Sequence, residues 1–258
     1  THHSTGRCAI KPRSAGEFRR YPQFLPFRFS HIFSDLTSTI QFCYYSDMKP
    51  KGLFITGTDT GVGKTFVAGL IINALKEKGM DVGVMKPVET GCAEKKGILI
   101  PNDALFLKKT ADINDDLEII NPYRFKKPVA PSSAAKYERK TIKLLKIKDC
   151  YQRLASKHDF MIVEGAGGLL VPLTRKETIL DLIKLLKLPI IIIAASKLGA
   201  INHTLLTVRC AKQAGIKILG IIFNNPTAYK KISLMNIEEV KRFTDVPIIG
   251  EVPFVNRT

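Results

Sequence analysis

Between an apolar run and an amphipathic stretch the chain carries Gly57-Thr58-Asp59-Thr60-Gly61-Val62-Gly63-Lys64-Thr65. A glycine-rich turn that leaves a strand and opens a helix aims successive backbone N–H groups into one concavity, where the helix dipole adds positive potential. Its glycines let the backbone approach phosphate oxygens closely. Lys64 supplies a point charge for β and γ phosphates, and the Thr65 hydroxyl is a hard ligand suited to Mg²⁺. The segment therefore predicts ATP and Mg²⁺ binding, with Gly61, Val62, Gly63, Lys64, Thr65 and Phe66 on the phosphate side. The strict form of this loop has glycine where Thr58 stands. Here Gly57 comes one place early, which marks a divergent subgroup.

The rest of the chain agrees with such a loop. Residues 52–56 read as a strand and 64–78 as a helix, with Val67, Leu70, Ile71, Ala74 and Leu75 on one stripe and Gly79 as its stop. Strands are expected over 82–86, 160–164, 189–195, 218–223 and 247–250. Helices are expected from 103 to 110 and over 141–156, 178–186, 202–214 and 236–243. The unbroken isoleucine run near 190 suits a strand buried on both faces. Alternating β and α segments of this kind give an α/β fold, a P-loop NTPase-like parallel sheet with helices on both faces in a single domain.

Residues 1–47 differ. They hold nine aromatics (Phe18, Tyr21, Phe24, Phe27, Phe29, Phe33, Phe42, Tyr44, Tyr45) among Arg, Ser and Pro, without a sustained period. Met48 then opens the ordered pattern. The expectation is that 1–47 is an N-terminal extension, non-native or disordered, with Met48 as the natural start. An organellar transit peptide is the alternative.

The formal net charge of +17 raises the question of an anionic polymer as partner. The lysines are scattered, and no basic-plus-aromatic recognition motif accompanies them. A lysine-rich surface on an enzyme with anionic ligands is the reading adopted, with neither nucleic acid nor membrane as partner. No run approaches the ~20 apolar residues that span a bilayer. Five cysteines without a CxxC pair fit a reducing compartment, hence a cytoplasmic protein.

The loop and a series of later segments resemble dethiobiotin synthetase. Lys86-Pro87-Val88-Glu89-Thr90-Gly91 is similar to that family's second motif and Asn102-Asp103-Ala104 to its Asp motif. Asn121-Pro122-Tyr123 and Pro128 to Pro131 resemble its Pro-rich connection. Val163-Glu164-Gly165-Ala166-Gly167-Gly168 resembles its acidic, glycine-rich turn, and Lys197-Leu198-Gly199-Ala200-Ile201-Asn202-His203 a further loop. Asn224-Asn225 and Gly250-Glu251-Val252-Pro253 resemble its adenine-side elements. The resemblance runs from about Gly52 to Val255, in the family's order.

The resemblance implies an ATP-dependent cyclo-ligase that forms the ureido ring of dethiobiotin from 7,8-diaminopelargonate (7,8-diaminononanoate) and CO2. One amine is carbamated, the carbamate oxygen attacks the γ-phosphate, and the second amine expels phosphate. Two anions must then meet, and Lys64, Lys86 and Mg²⁺ supply the cations. Thr65, Asp103 and Glu164 become the metal ligands. Thr60 is placed to donate to the γ-phosphate or the carbamate, and Thr90 to hold the amine or carbamate. Gly165, Ala166 and Gly167 leave room for nucleotide, with Asn224, Asn225, Pro253, Phe254 and Val255 on the adenine side. The family is a homodimer in which the substrate carboxylate meets the partner subunit, and Gly199, Ala200, Ile201 and Asn202 open a helix suited to that anion. Family members usually continue into a last helix beyond this region, so a looser adenine pocket or a less stable fold is expected of a chain ending at Thr258. On these grounds Lys64→Ala and Lys86→Ala should each abolish turnover and leave the fold intact.

Each assignment has a plainer alternative. Lys86 would be a strand-end surface lysine, Asp103 a helix N-cap, Glu164 a turn cap, and Thr90 and Asn224 loop residues. Two rival functions share the fold: an amidotransferase-linked ligase, and a positioning ATPase of the ParA/MinD kind. The second carries an extra lysine where Asp59 stands here.

Overall fold

The computed structural model describes residues 52–225 and 230–253, with the backbone alone for 230–233. The expectations for residues 1–47, for Phe254 and Val255, and for the chain's end lie outside the described residues.

Six strands form the central sheet: β1 (Gly52–Gly57), β2 (Val82–Met85), β7 (Phe160–Glu164), β8 (Ile190–Ala195), β9 (Ile218–Asn224) and β10 (Ile248–Val252). Their order is β10-β9-β8-β1-β7-β2, and every pairing is parallel. β1, β2, β7 and β8 are buried along their whole length, as their unbroken apolar sequences require. The helices are α1 (Lys64–Lys76), α2 (Asn102–Ala111), α3 (Leu117–Ile120), α4 (Pro131–Tyr137), α5 (Leu144–Ala155), α6 (Ile179–Leu186), α7 (Ala200–Gln213) and α8 (Lys230–Phe243).

From β1 the chain crosses to the edge strand β2, then reverses to fill β7 between them. Right-handed crossovers place the helices of the two directions on opposite faces. α1 and α2 pack together on one, and α5 to α8 cover the other. The reversal opens a crevice beyond the carboxyl ends of β1, β7 and β2, where ligands bind in sheets of this type.

Each expected strand and helix is present, with ends moved by a few residues. The helix expected over 236–243 begins at Lys230, and that expected from Asp103 begins at Asn102. Unforeseen are two small sheets between β2 and α5: β3 (Val88–Thr90) with β6 (Tyr123–Phe125), and a hairpin of β4 (Ala93–Lys95) and β5 (Ile98–Ile100). Three-residue strands are too short for a period to register.

At the amino ends of β2 and β7, away from the crevice, His158 lies between two carboxylates. Its Nδ1 is 3.0 Å from Asp81 Oδ2 and its Nε2 2.7 Å from Asp115 Oδ2. Lys157 Nζ donates to Asp115 Oδ1 at 2.7 Å. Burial raises the Asp115 carboxyl, but Lys157 and His158 outweigh it and hold it below the usual range. A lowered folded value stabilises above the unfolded value, and that contribution is lost as pH falls through the folded one. Asp115→Asn is therefore expected to cost about 2 kcal/mol at neutral pH. The deficit should shrink below about pH 4, the unfolded carboxylate value. Thermal melts at pH 7 and pH 3 check this; an equal deficit at both would mean that packing, not charge, is what the variant loses.

Candidate active site

Gly63 closes the turn after β1 at φ +92° and serves as N-cap of α1. α1 has no side-chain cap and no acidic residue in its first turn, so its leading N–H groups suit an anion. The structure also accounts for the early glycine. A Cβ on Gly57 would stand 2.8 Å from Val62 and 3.0 Å from Lys64 Nζ, so close approach is required at 57. Thr58 instead donates its N–H to Ile193 O at 2.9 Å. Asp59 accepts from Thr60 N at 2.7 Å and pairs with Lys197 at 3.1 Å.

The chemistry is concentrated where β2 and β7 end. Lys86 follows β2 with its side chain buried. Its Nζ lies 2.6 Å from Glu164 Oε1, the last residue of β7, and 2.9 Å from Asp103 Oδ2 in the first turn of α2. The backbone of Lys86 is held on both sides: its N–H donates to Ile120 O at 2.9 Å, and its carbonyl accepts from Asn121 Nδ2 at 2.6 Å. Burial opposes the Lys86 charge, but Asp103, Glu164 and Glu89 outweigh it and keep the ammonium above the ordinary lysine range. Thr65 Oγ1 donates to the same Glu164 Oε1 at 2.8 Å. That bond joins the phosphate loop to the cluster. Burial, with help from the Lys86 charge, pulls Lys64 down to about 8; a bound triphosphate would restore it.

Thr65, Asp103 and Glu164 offer hard oxygens, and Glu164 Oε2 is buried without a hydrogen-bond partner. They fit Mg²⁺, which takes one or two carboxylates and completes its shell with water and substrate phosphates. Among the described residues no group of three or more His, Cys, Asp or Glu forms a metal cage by itself.

The glycine-rich turn after β7 lies against the loop: Gly57 N donates to Gly167 O at 3.3 Å, and a Cβ on Gly167 would come 3.5 Å from Thr60 Oγ1. Asn224, last residue of β9, donates its amide to Val62 O at 2.8 Å. Asn225 Nδ2 donates to Glu251 Oε1 at 2.6 Å, which leaves the buried Asn225 Oδ1 unpartnered. Pro253 follows β10 and is exposed. Phe66 packs half-buried against the core. Thr90 ends β3, half-buried. The expected residues Thr60 to Thr65, Lys86, Asp103 and Glu164 to Gly167 thus converge, with Asn224 behind the loop. Gly199 caps α7 at φ +86° with Ala200 and Ile201 in its first turn. Asn202 instead lines a groove of about 650 Å³ between α7 and the end of α8, beside Leu206, Arg209 and Phe243.

Asp103 is not an N-cap, since Pro101 holds that position. The residue missed is Glu89, whose oxygens accept from Asp103 N and Ala104 N, both at 3.0 Å. Burial and the neighbouring Asp103 charge push its carboxyl up to about 7. The available signal was Pro101 itself, which has no acceptor to offer a helix start.

Parallel sheet, phosphate loop and lysine–carboxylate cluster define a nucleotide-binding protein of the P-loop NTPase class. A family profile described as an AAA domain matches residues 51–258. The MinC:MinD cell division protein complex of Aquifex aeolicus has a similar fold, with TM-score 0.52 and 16% identity over 80% of this chain and 82% of that one. Sequence likeness is much closer elsewhere. The ATP-dependent dethiobiotin synthetase BioD of Thermodesulfovibrio yellowstonii is 40% identical over 79% of this chain and 89% of its own. That of Methanococcus vannielii is 42% identical over 78% and 92%, and that of Bacillus licheniformis 41% over 79% and 86%. The chain belongs to the dethiobiotin synthetase family.

Proposed function

We propose that this protein is an ATP-dependent dethiobiotin synthetase, a ligase of biotin biosynthesis. It joins 7,8-diaminopelargonate and CO2 into the ureido ring of dethiobiotin and releases ADP and phosphate. The observation that carries this is the Lys86 ammonium, held between Asp103 and Glu164 and linked through Glu164 to Thr65 of the phosphate loop.

The residues divide the work. The N–H groups of Gly61 to Thr65 and the Lys64 ammonium bind the triphosphate. Lys86 would offset the charge of a carbamate brought against the γ-phosphate. Thr60 donates to the same oxygens, and Thr90 holds the amine end of the substrate. Thr65, Asp103 and Glu164 would hold Mg²⁺, whose charge supports attack on the γ-phosphate. Asn224, Asn225 and Pro253 lie toward the base. The α7 start at Gly199 to Asn202 receives the substrate carboxylate across a homodimer. The protein works in the cytoplasm, and among the described residues no helix is long and apolar enough to cross a membrane. The positioning-ATPase reading rests on likeness of fold, and Asp59 stands where that group carries its lysine.

Phosphate release from Mg·ATP with bicarbonate should rise when 7,8-diaminopelargonate is added, with a product heavier by CO2 minus water. Chelation of Mg²⁺ should abolish the rise. ATP turnover that ignores the diamine and responds to DNA or lipid instead would move the function to a positioning ATPase.

A further inference from the structure

We infer that Glu89 is a positioning residue for the metal site: by capping α2 from the strand beyond Lys86, it fixes where Asp103 stands. The inference rests on the metal-binding reading of Asp103 given above. α2 starts behind Pro101, whose side chain offers no cap, and the first N–H groups of a helix have no partner within it. Glu89 supplies that partner from fourteen residues earlier in the chain. One carboxylate oxygen takes the N–H of Asp103 and the other that of Ala104, each at 3.0 Å. Glu89 is only 6% exposed, and β3, which carries it, is paired with β6.

A local Ser at position 101 would cap the helix without burying a carboxylate beside another carboxylate, an expensive arrangement. The long-range cap does something a local one does not. It ties the first turn of α2 to the strand that leaves Lys86, so two residues, Pro87 and Val88, separate the lysine from the group that places its partner. The Asp103 backbone is held by Glu89 while its side chain reaches Lys86 at 2.9 Å. Without the cap the first turn frays, and Asp103 lies in that turn.

The test uses Glu89→Gln, which keeps the size and one acceptor, and Glu89→Ala, with Asp103→Asn for reference. Mn²⁺ binding to the enzyme–ADP complex is read from the electron paramagnetic resonance of the free ion. Mg²⁺ half-saturation of turnover and the diamine KM are measured alongside. Loss of a cap should weaken Mn²⁺ binding roughly five- to tenfold. Mg²⁺ half-saturation should rise in step while the diamine KM stays put. A lower melting temperature in Glu89→Gln with Mn²⁺ affinity unchanged would make Glu89 a stability residue and overturn the inference. If Asp103→Asn also leaves Mn²⁺ affinity unchanged, the metal reading of Asp103 falls and takes this inference with it. If Asp103→Asn weakens the ion and neither Glu89 variant does, the inference alone fails.

Discussion

Lys86→Ala is expected to lower the rate of dethiobiotin formation by about a thousandfold, the scale of removing a charge that stabilises a transition state, while ADP still binds. The loop that binds ADP keeps its backbone N–H groups and its own Lys64, although Glu164, which accepts from Thr65, loses its lysine partner. The same variant should also be less stable, although its fold stays intact. Lys86 Nζ stands between Glu164 and Asp103. Removing one partner of a buried ionic cluster costs about 3–5 kcal/mol, because the charges left behind have no compensation. Asp103 is partly open to water, so the lower end applies. Added Mg²⁺ should then raise the melting temperature of Lys86→Ala more than that of the unaltered protein, since the ion offsets the exposed carboxylates. Calorimetric melts with and without Mg²⁺ test the second point, and product assay by mass the first. Near-normal turnover in a folded Lys86→Ala would remove the carbamate role from this lysine.

The sheet was legible because its strands are long enough to show unbroken apolar runs, and because the loop at Gly57 to Thr65 dictates a strand before it and a helix after it. Lys86, Asp103 and Glu164 were legible one at a time, each as a charged residue where an apolar strand ends or a helix opens. Their meeting came only through the family resemblance, not from the local pattern. It depends on β7 being inserted between β1 and β2, a pairing of segments about eighty residues apart that no local pattern encodes. Glu89 was hidden for a related reason. Its partners are backbone N–H groups, and a hydrogen bond to the main chain leaves no mark on the residue type at the other end. Asn224 carried a hint of adenine contact in the sequence. In the fold its amide serves the loop carbonyl of Val62, a tie between the last residue of β9 and the turn after β1.

That tie makes the second strong expectation. Gly63→Ala should weaken ADP binding by about a hundredfold, near 3 kcal/mol. Two effects combine. The backbone stands at φ +92°, where a residue with a Cβ pays about 1–2 kcal/mol. The added methyl would also land on the Asn224 amide nitrogen. Asn224 has little room to yield: it is buried, its side chain holds Val62 O, and its carbonyl accepts from Ser196 N at 3.1 Å. Either the amide leaves Val62 or the turn opens, and both spoil the alignment of N–H groups on which phosphate binding depends. A double-mutant cycle with Asn224→Ala separates the causes by titration calorimetry with ADP. If the clash contributes, Gly63→Ala with Asn224→Ala together should cost less than the sum of the two alone by about 1 kcal/mol. Strict additivity would leave backbone strain as the whole effect. Unchanged affinity in Gly63→Ala would mean that this turn does not hold the phosphates.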